Sequence, residues 1–457
     1  MTEHKAQLSF YGGAGEVTGA NFHMETAQGT FLVDCGMTQG GEDLEKKNWQ
    51  SFVYEPYSVD VLLVTHAHQD HIGRIPKLVR DGFRGVIYST APTKEIAKIM
   101  LEDAMGIMSR EAEEKGLDPL FEEEDLKKAL SMWKVVPYHN TTEFLPGWTF
   151  QFRDAGHVLG SAMIEVTHNE KKILFTGDLG NSPNLLLRDI EDVSDIDYVV
   201  MESVYGDRLH EHKDDRTKDL ERAIEDIAKK GGTLMIPSFS LERTQELLFE
   251  INEFIERGRV PKMPIFLDSP LAIKVTHIFR HSMEFFNKHT RALITGGDDV
   301  FNFPGLSLTE STDESKAISH TPGPKIVIAG SGMMNGGRIL HHALRYLGEK
   351  NSILLFVGYQ APGTLGRIIQ SGAKNARIYG NDITIKADVR SISGYSGHAD
   401  RDDLVHLIDT IKNDVQQVFC VMGEPSSAMF LTQRLRDYLG VNATAPAEGD
   451  QVMLDFE

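Results

Sequence analysis

Short apolar runs, many of them followed by glycine or aspartate, recur through the first 208 residues. Runs of this kind between turn-forming residues are typical of β-strands. The predicted strands lie at residues 8–11, 21–25, 30–34, 61–65, 150–154, 163–166, 173–176 and 198–201. Between residues 93 and 133 the apolar positions take a helical spacing within an acidic stretch, which predicts a helical hairpin. We therefore expect layered sheets with few long helices in this part of the chain.

The pattern changes near residue 210, where helical spacing begins to alternate with short buried strands. These strands are predicted at residues 233–236, 265–267, 325–329 and 353–357. Such alternation is typical of a parallel α/β unit. After residue 386 strands return, together with helices at 401–412 and 426–438. We therefore predict a first domain at 1–208, an inserted α/β domain at 209–385, and a returning segment of the first domain at 386–457.

Composition places the chain among ordinary globular proteins, with 41% hydrophobic and 25% charged residues in 457. Two cysteines, Cys35 and Cys420, cannot form a disulfide framework and fit a reducing compartment. The sequence begins without an apolar signal segment, and no apolar run approaches the roughly 20 residues that span a bilayer. We therefore predict a cytoplasmic protein without membrane contact.

The formal net charge of −20 argues against broad adhesion to nucleic acid or anionic lipid, because the distant field repels polyanions. A nucleic acid substrate stays open as an interpretation, since a cleft that holds divalent cations reverses the sign of the charge locally.

The segment VLLVTHAHQDHIGR holds the strongest chemical signal in the sequence. Alternate residues of an extended backbone point the same way, so His66 and His68 are placed to grip one metal ion together. If a helix begins near Ile72, Asp70 and His71 turn toward a second ion beside the first. Imidazole and carboxylate donors without thiolate suit zinc, and also manganese or iron.

Two later strand ends complete the predicted shell. His157 lies in RDAGHVLGSA and Asp178 in ILFTGDLG, where a carboxylate is placed to bridge both ions. Two ions held in this way would lower the pKa of a shared water and orient the resulting hydroxide. The predicted metal ligands are His66, His68, Asp70, His71, His157 and Asp178.

The HxHxDH pattern resembles that of the metallo-β-lactamase superfamily, whose fold is an αββα sandwich with metals at one edge of its two sheets. Further segments resemble the β-CASP ribonucleases, which include the endonuclease of messenger RNA 3′ processing and its bacterial and archaeal relatives. These segments are GGAGEVTGAN, MESVYGDR, IPSFSLERTQELL, LDSPLA, SGMMNGGR, GYQAPGTLGR and SGYSGHADR. The resemblance implies an α/β fold in which the inserted parallel α/β unit is the β-CASP cap.

The resemblance also implies that Glu202 and His398 form a pair in which the imidazole protonates the leaving oxygen, with Asp70 as a further catalytic residue. A nearby carboxylate favours the imidazolium form and so keeps an acid available.

Phosphate contacts are predicted in the inserted unit. The loop at Ser331, Gly332 and Met333 follows a buried strand and precedes a helix, so its backbone N–H groups are placed to meet an anion. Arg243, near the start of another helix, is predicted to clamp a phosphate.

One position departs from the family pattern. The family ends a late strand with V-H-G-E, whose histidine binds the second metal, but this chain has FCVMGEP, with Met422 at the histidine position. A thioether is a soft ligand that replaces imidazole poorly at such a site. We therefore expect the second ion to bind weakly.

The sequence thus predicts a metal-dependent endoribonuclease that uses two divalent ions, taken as zinc, to hydrolyse single-stranded RNA by a metal-activated hydroxide. A homodimer is expected, since relatives of this kind often pair. Two alternatives stay open: a catalytically impaired RNA-binding or scaffold subunit, and a small ester or thioester hydrolase of the same superfamily.

Overall fold

Strands predominate up to residue 209, as the short apolar runs predict. The computed structural model describes residues 4–40, 42–210, 213–361, 363–392 and 394–457. The strands of the first part are β1 (Lys5–Gly12), β2 (Asn21–Glu25), β3 (Thr30–Val33), β4 (Val61–Leu63), β5 (Val86–Ser89), β6 (Trp133–Val135), β7 (Thr142–Leu145), β8 (Trp148–Asp154), β9 (Ala162–His168), β10 (Lys171–Phe175) and β11 (Tyr198–Glu202). The helices are α1 (Glu42–Glu45), α2 (Gln69–Ile72), α3 (Ile75–Arg80), α4 (Ala91–Lys115) and α5 (Glu123–Ser131). All eight predicted strands are present, and α4 and α5 occupy the predicted helical hairpin.

Helices and strands alternate in the middle of the chain. The helices are α6 (Lys213–Lys230), α7 (Arg243–Glu256), α8 (Pro270–Arg280), α9 (Lys288–Thr295), α10 (Thr312–Ala317), α11 (Ile339–Tyr346) and α12 (Leu365–Gln370). The strands are β12 (Thr233–Pro237), β13 (Ile265–Leu267), β14 (Leu306–Leu308), β15 (Lys325–Ala329), β16 (Ile353–Phe356), β17 (Asn375–Ile378), β18 (Asn381–Thr384) and β19 (Asp388–Ser391). Pro362 and Ser393, which belong to two of the quoted motifs, lie outside the described residues.

The last part of the chain contains α13 (Arg401–Ile411), β20 (Gln417–Val421), α14 (Pro425–Leu439), β21 (Ala443–Thr444) and β22 (Gln451–Asp455). By its contacts the chain divides into two units, Met1–Leu209 with His398–Glu457, and His210–Gly397. Residues 386–397, which the sequence analysis assigned to the returning segment, therefore lie in the second unit. The reason is that β19 pairs in parallel with β16 and extends its sheet.

The first unit is a sandwich of two seven-stranded sheets, in the orders β22-β1-β2-β3-β4-β5-β6 and β21-β20-β11-β10-β9-β8-β7. Alternate residues of the inner strands face opposite sides. Ile173 and Phe175 of β10 join the core that both sheets share, which also contains Phe10, whereas Leu174 packs under α13 and α14. Strands buried on both faces explain the continuous apolar runs in the sequence. The predicted αββα fold class is confirmed.

The second unit contains a six-stranded sheet, in the order β14-β13-β15-β12-β16-β19, and the hairpin β17–β18. Its neighbouring strands pair in parallel. Helix α11 covers one face of the sheet through Ile339, Ala343 and Tyr346. No helix among the described residues combines the length and the apolar character needed to cross a membrane.

A buried carboxylate, Asp268, ties together the loops of the second unit. It follows β13 and accepts hydrogen bonds from Arg338 Nη1 (2.7 Å), His342 Nε2 (2.7 Å) and Thr309 Oγ1 (2.7 Å). Burial alone would raise the pKa of Asp268, but these hydrogen bonds lower it to about 2. Arg338 therefore holds the end of the SGMMNGGR segment in place.

Candidate metal centre

Parallel strand ends deliver the candidate ligands to one edge of each sheet in the first unit. Strands β3 and β4 are parallel neighbours, so Asp34 after β3 lies beside the segment that follows β4 and contains His66. In the other sheet β10, β11 and β20 are parallel neighbours. Their ends place Asp178, Glu202 and Met422 together.

The backbone of the HAHQDH segment is held by the loop after β3. Cys35 N–H donates to His71 O (2.8 Å), and Met37 N–H donates to Gln69 O (2.9 Å). Gly36 lies so close to this segment that a Cβ on it would fall 1.5 Å from Asp70 O. Only glycine fits there, and the close approach fixes where the Asp70 and His71 side chains begin.

Four ligand atoms converge, from His66, His68, His157 and Asp178, with all four within 4.8 Å of one another. His68 Nδ1 is 3.0 Å from His66 Nε2 and 3.3 Å from His157 Nε2. Asp178 Oδ2 is 3.5 Å from His66 Nε2 and 3.6 Å from His157 Nε2. Residues far apart in the sequence thus form one buried donor set.

Asp70 and His71 lie beside this set. His71 Nε2 is 3.2 Å from Asp178 Oδ1 and 3.9 Å from Asp70 Oδ2. The two oxygens of the Asp178 carboxylate therefore face two different groups of side chains, which is the arrangement expected of a bridging ligand.

Glu202 and His398 lie next to each other. His398 Nδ1 is 3.3 Å from Glu202 Oε1 and 3.9 Å from Asp178 Oδ2. Leu179 N–H donates to Glu202 Oε1 (2.6 Å), and His398 pairs with Gly180 in an isolated β-bridge. The loop that carries Asp178 thus positions both members of the pair.

The charges of these groups follow from burial and from their neighbours. Burial lowers the pKa of His66, His68 and His157, which leaves neutral imidazoles whose lone pairs suit a cation. Burial opposes ionisation of Asp178, yet the adjacent imidazoles keep its pKa well below the usual range. Burial alone would also lower the pKa of His398, but Glu202, followed by the more distant carboxylates, raises it to about 9.

Asp34 and Thr65 complete the site, and sequence reasoning missed both. Asp34 is buried and accepts hydrogen bonds from His71 Nδ1 (2.7 Å) and Thr65 Oγ1 (2.7 Å) through Oδ2. A carboxylate on Nδ1 fixes the tautomer of His71 and directs its Nε2 toward Asp178. The available signal was the carboxylate directly after the buried strand in TFLVDCG.

Met422 lies at the end of β20 and is buried. Its backbone is left-handed, with φ 46°, and its N–H donates to Gly13 O (2.6 Å). The thioether packs on Gly13, where a Cβ would fall 2.3 Å from Met422 Sδ. Met422, His71 and Glu202 line the same small internal cavity.

The predicted substrate-binding residues lie in the second unit. The Arg243 guanidinium is buried, pairs with Glu246 and lies 5.4 Å from the centre of the Tyr395 ring, so it is committed to an internal contact. Ser331 Oγ accepts from Asn335 N–H (3.1 Å), Gly332 O from Gln360 Nε2 (2.9 Å) and Met333 O from Gly366 N–H (3.1 Å). That loop is held rigidly at the carboxyl edge of the sheet.

The donor set fits a divalent cation. Glu202 Oε2 is buried without a hydrogen-bond partner among the described residues, and Asp178 Oδ1 and His71 Nε2 are buried 3.2 Å apart with no well-formed hydrogen bond between them. A cation held between the carboxylate and the imidazole would compensate these buried polar atoms. The residues placed to hold it are His66, His68, Asp70, His71, His157 and Asp178.

Comparisons with known proteins agree with this geometry. The chain matches three family models: the metallo-beta-lactamase superfamily at residues 22–238, the Beta-Casp domain at 244–369, and the Zn-dependent metallo-hydrolase RNA specificity domain at 382–446. The protein named Ribonuclease TTHA0252 from Thermus thermophilus is 36% identical over 425 residues, which cover 93% of this chain and 95% of that protein. The chain belongs to the β-CASP family of the metallo-β-lactamase superfamily.

Further β-CASP relatives match over nearly the whole chain. An RNase J-like protein from Methanocaldococcus jannaschii is 30% identical, with 97% of this chain and 98% of that protein covered. The transcription termination factor FttA of the same organism is 29% identical, with 98% and 71% covered. A crystal structure of a protein of unknown function from Enterococcus faecalis shares the fold, with a TM-score of 0.56, 14% identity, and 98% and 100% of the two chains covered. These relatives confirm the prediction that the chain is an enzyme that hydrolyses RNA with the help of a metal ion.

We expect Asp34→Asn to weaken metal binding by about 10- to 100-fold, because the amide no longer fixes the tautomer of His71. Chelator competition followed by elemental analysis measures the change. Asp60→Asn, at an exposed carboxylate that accepts from the Thr30 N–H, serves as the matched control. Equal metal retention in Asp34→Asn and wild type would show that Asp34 does not position His71.

We expect Gly36→Ala to lower metal content and the free energy of unfolding together, because the new methyl group displaces the Asp70 backbone. Gly106→Ala is the matched control, since a Cβ there meets nothing within 4 Å and alanine favours the α4 helix. Elemental analysis and urea denaturation measure both effects. A Gly36→Ala protein with normal metal content and stability would contradict the close approach.

Proposed function

We propose that the chain is a zinc-dependent endoribonuclease that cleaves single-stranded RNA. The observation that carries the proposal is the convergence of His66, His68, His157 and Asp178 beside the Glu202–His398 pair. The match to an RNA specificity domain and the similarity to the Thermus thermophilus protein named a ribonuclease support RNA as the substrate. The cytoplasmic location and the homodimer stay predictions.

The donor chemistry supports zinc. Three imidazoles and a carboxylate without thiolate are ligands that zinc accepts in hydrolytic sites. A divalent cation in such a set lowers the pKa of a coordinated water and offsets the charge that develops on a phosphate.

We propose two ion sites that share Asp178. The first would use His66, His68 and His157. The second would use Asp70 and His71, whose Nε2 lies 3.2 Å from Asp178 Oδ1 and 3.9 Å from Asp70 Oδ2. Met422 supplies no imidazole to the second site, so that site would hold an ion more weakly.

The protein contributes to the reaction by holding a proton donor, His398, in a fixed orientation. His398 turns Nδ1 toward Glu202, so Nε2 is the nitrogen that donates a proton to the leaving oxygen. Glu202 holds this orientation and is itself fixed by Leu179 N–H. Because the acid is oriented before substrate binds, little reorganisation is needed during the reaction.

The decisive experiment incubates labelled circular single-stranded RNA, single-stranded DNA and a chromogenic ester with zinc or manganese. We expect cleavage of the RNA circle, which has no ends, and a loss of about 100-fold or more in His398→Ala and Asp70→Ala. His406→Ala, at an exposed histidine on α13, is the matched control. Binding without cleavage supports the impaired subunit, and ester turnover alone supports the small-molecule hydrolase.

We expect Met422→His to raise the number of tightly held ions from about one to about two per chain, because imidazole replaces a poor ligand. Histidine is among the residues that tolerate a left-handed backbone, so the substitution suits φ 46°. Metal titration by calorimetry with elemental analysis measures the change. Two tightly held ions in the wild-type protein would contradict a weak second site.

A further inference from the structure

Two neighbouring strands of the second unit send their connections in opposite directions. Strands β15 and β12 are neighbours in the sheet. After β12 the chain passes through α7 to β13, which lies beyond β15. After β15 the chain passes through α11 to β16, which lies beyond β12. In open parallel sheets, a crevice for ligands forms outside the carboxyl ends of such a strand pair. The loops at this crevice in the second unit are residues 238–242 and 330–338.

Phe239 lies at this crevice and is 41% exposed. Its backbone is fixed, because Thr244 Oγ1 donates to Phe239 O (2.6 Å) and the adjacent Ser238 N–H donates to Ala329 O (3.0 Å). A large exposed ring on a rigid backbone loses little conformational entropy when it binds a partner.

The Phe239 ring lies against the backbone of two glycines. A Cβ on Gly332 would fall 2.8 Å from Cδ2 of the ring, and one on Gly358 would fall 3.5 Å from Cε2. A side chain at Gly332 would push the ring from its place. The two glycines therefore support one part of the ring while much of the rest stays accessible.

A buried amide ties these loops together. Gln360 Nε2 donates to Gly332 O (2.9 Å) and lies 3.3 Å from Gly358 O. The next residue before it, Tyr359, is 54% exposed and supplies a second accessible ring. Gln360 thus positions the loops that carry the exposed rings of Phe239 and Tyr359, which together we call the aromatic surface.

We propose that this aromatic surface stacks a nucleobase of single-stranded RNA, with Phe239 as the main contact. The proposal rests on the proposed function, which supplies RNA as the ligand. Every base has a π-face, so stacking serves an enzyme that accepts varied sequences. The net charge of −20 makes such contacts valuable, because the distant field of the protein repels the RNA backbone.

The test compares Phe239→Leu, Phe239→Ala and Phe239→Trp in the full chain. Anisotropy with labelled oligouridine in excess chelator gives Kd without cleavage, and cleavage assays with metal give KM and kcat. We expect Kd and KM to rise about 5- to 100-fold in the leucine and alanine variants and to stay near wild type in the tryptophan variant. The added tryptophan fluorescence should be quenched when RNA binds.

Tyr438→Ala removes a ring that is even more exposed, from α14 in the first unit, and is the control. If wild type cleaves RNA and Phe239→Leu binds as tightly as wild type, the stacking surface is rejected while the proposed function stands. If wild type neither binds nor cleaves RNA, both are rejected. Weakened binding in the leucine variant with quenching in the tryptophan variant supports the assignment.

Discussion

The carboxylate of Asp178 lies between 3.2 and 3.9 Å from ring nitrogens of His66, His71, His157 and His398. A buried carboxylate is costly unless positive charge compensates it. The surrounding side chains must therefore keep their places for the core to stay stable. Three features hold the groups around Asp178 in position. They are the strands that end at this edge, the loop after β3 that holds the HAHQDH backbone, and the Asp34–His71 contact.

The second unit is organised by a comparable carboxylate at the carboxyl end of a parallel strand. Asp268 gathers Arg338, His342 and Thr309 from separate loops. All three partners donate hydrogen bonds to Asp268, so it is satisfied within the protein. Asp178 instead has Oδ1 without a well-formed hydrogen bond among the described residues and faces, in His66 and His157, neutral imidazoles whose lone pairs suit a cation. The same strand-end geometry thus serves structure in one unit and chemistry in the other.

The sequence allowed most of the fold to be predicted because strands buried on both faces are continuously apolar. Strands β5, β6 and β7 were missed. Strand β5 is only four residues long and alternates buried with half-buried positions, whereas β6 and β7 are short edge strands with exposed positions. The metal donors were recognisable from their spacing. Asp34 was not singled out, because a lone aspartate after a strand resembles an ordinary turn.

Arg243 and Glu246 are three positions apart on one helix, a spacing that also occurs on exposed helix faces. The sequence therefore does not show that this ion pair is buried. The support of the Phe239 ring by Gly332 and Gly358 depends on loops that meet only in the fold. Neither feature has a local signature.

The first unit is assembled from segments on both sides of the second. Strand β22 pairs with β1, β20 pairs with β11, and His398 follows the inserted unit in the chain. During synthesis, domains fold as their residues leave the ribosome. The Glu202–His398 pair and the last strands of both large sheets therefore come together only after the inserted unit has emerged, so the candidate site of a growing chain stays incomplete until the end of its synthesis.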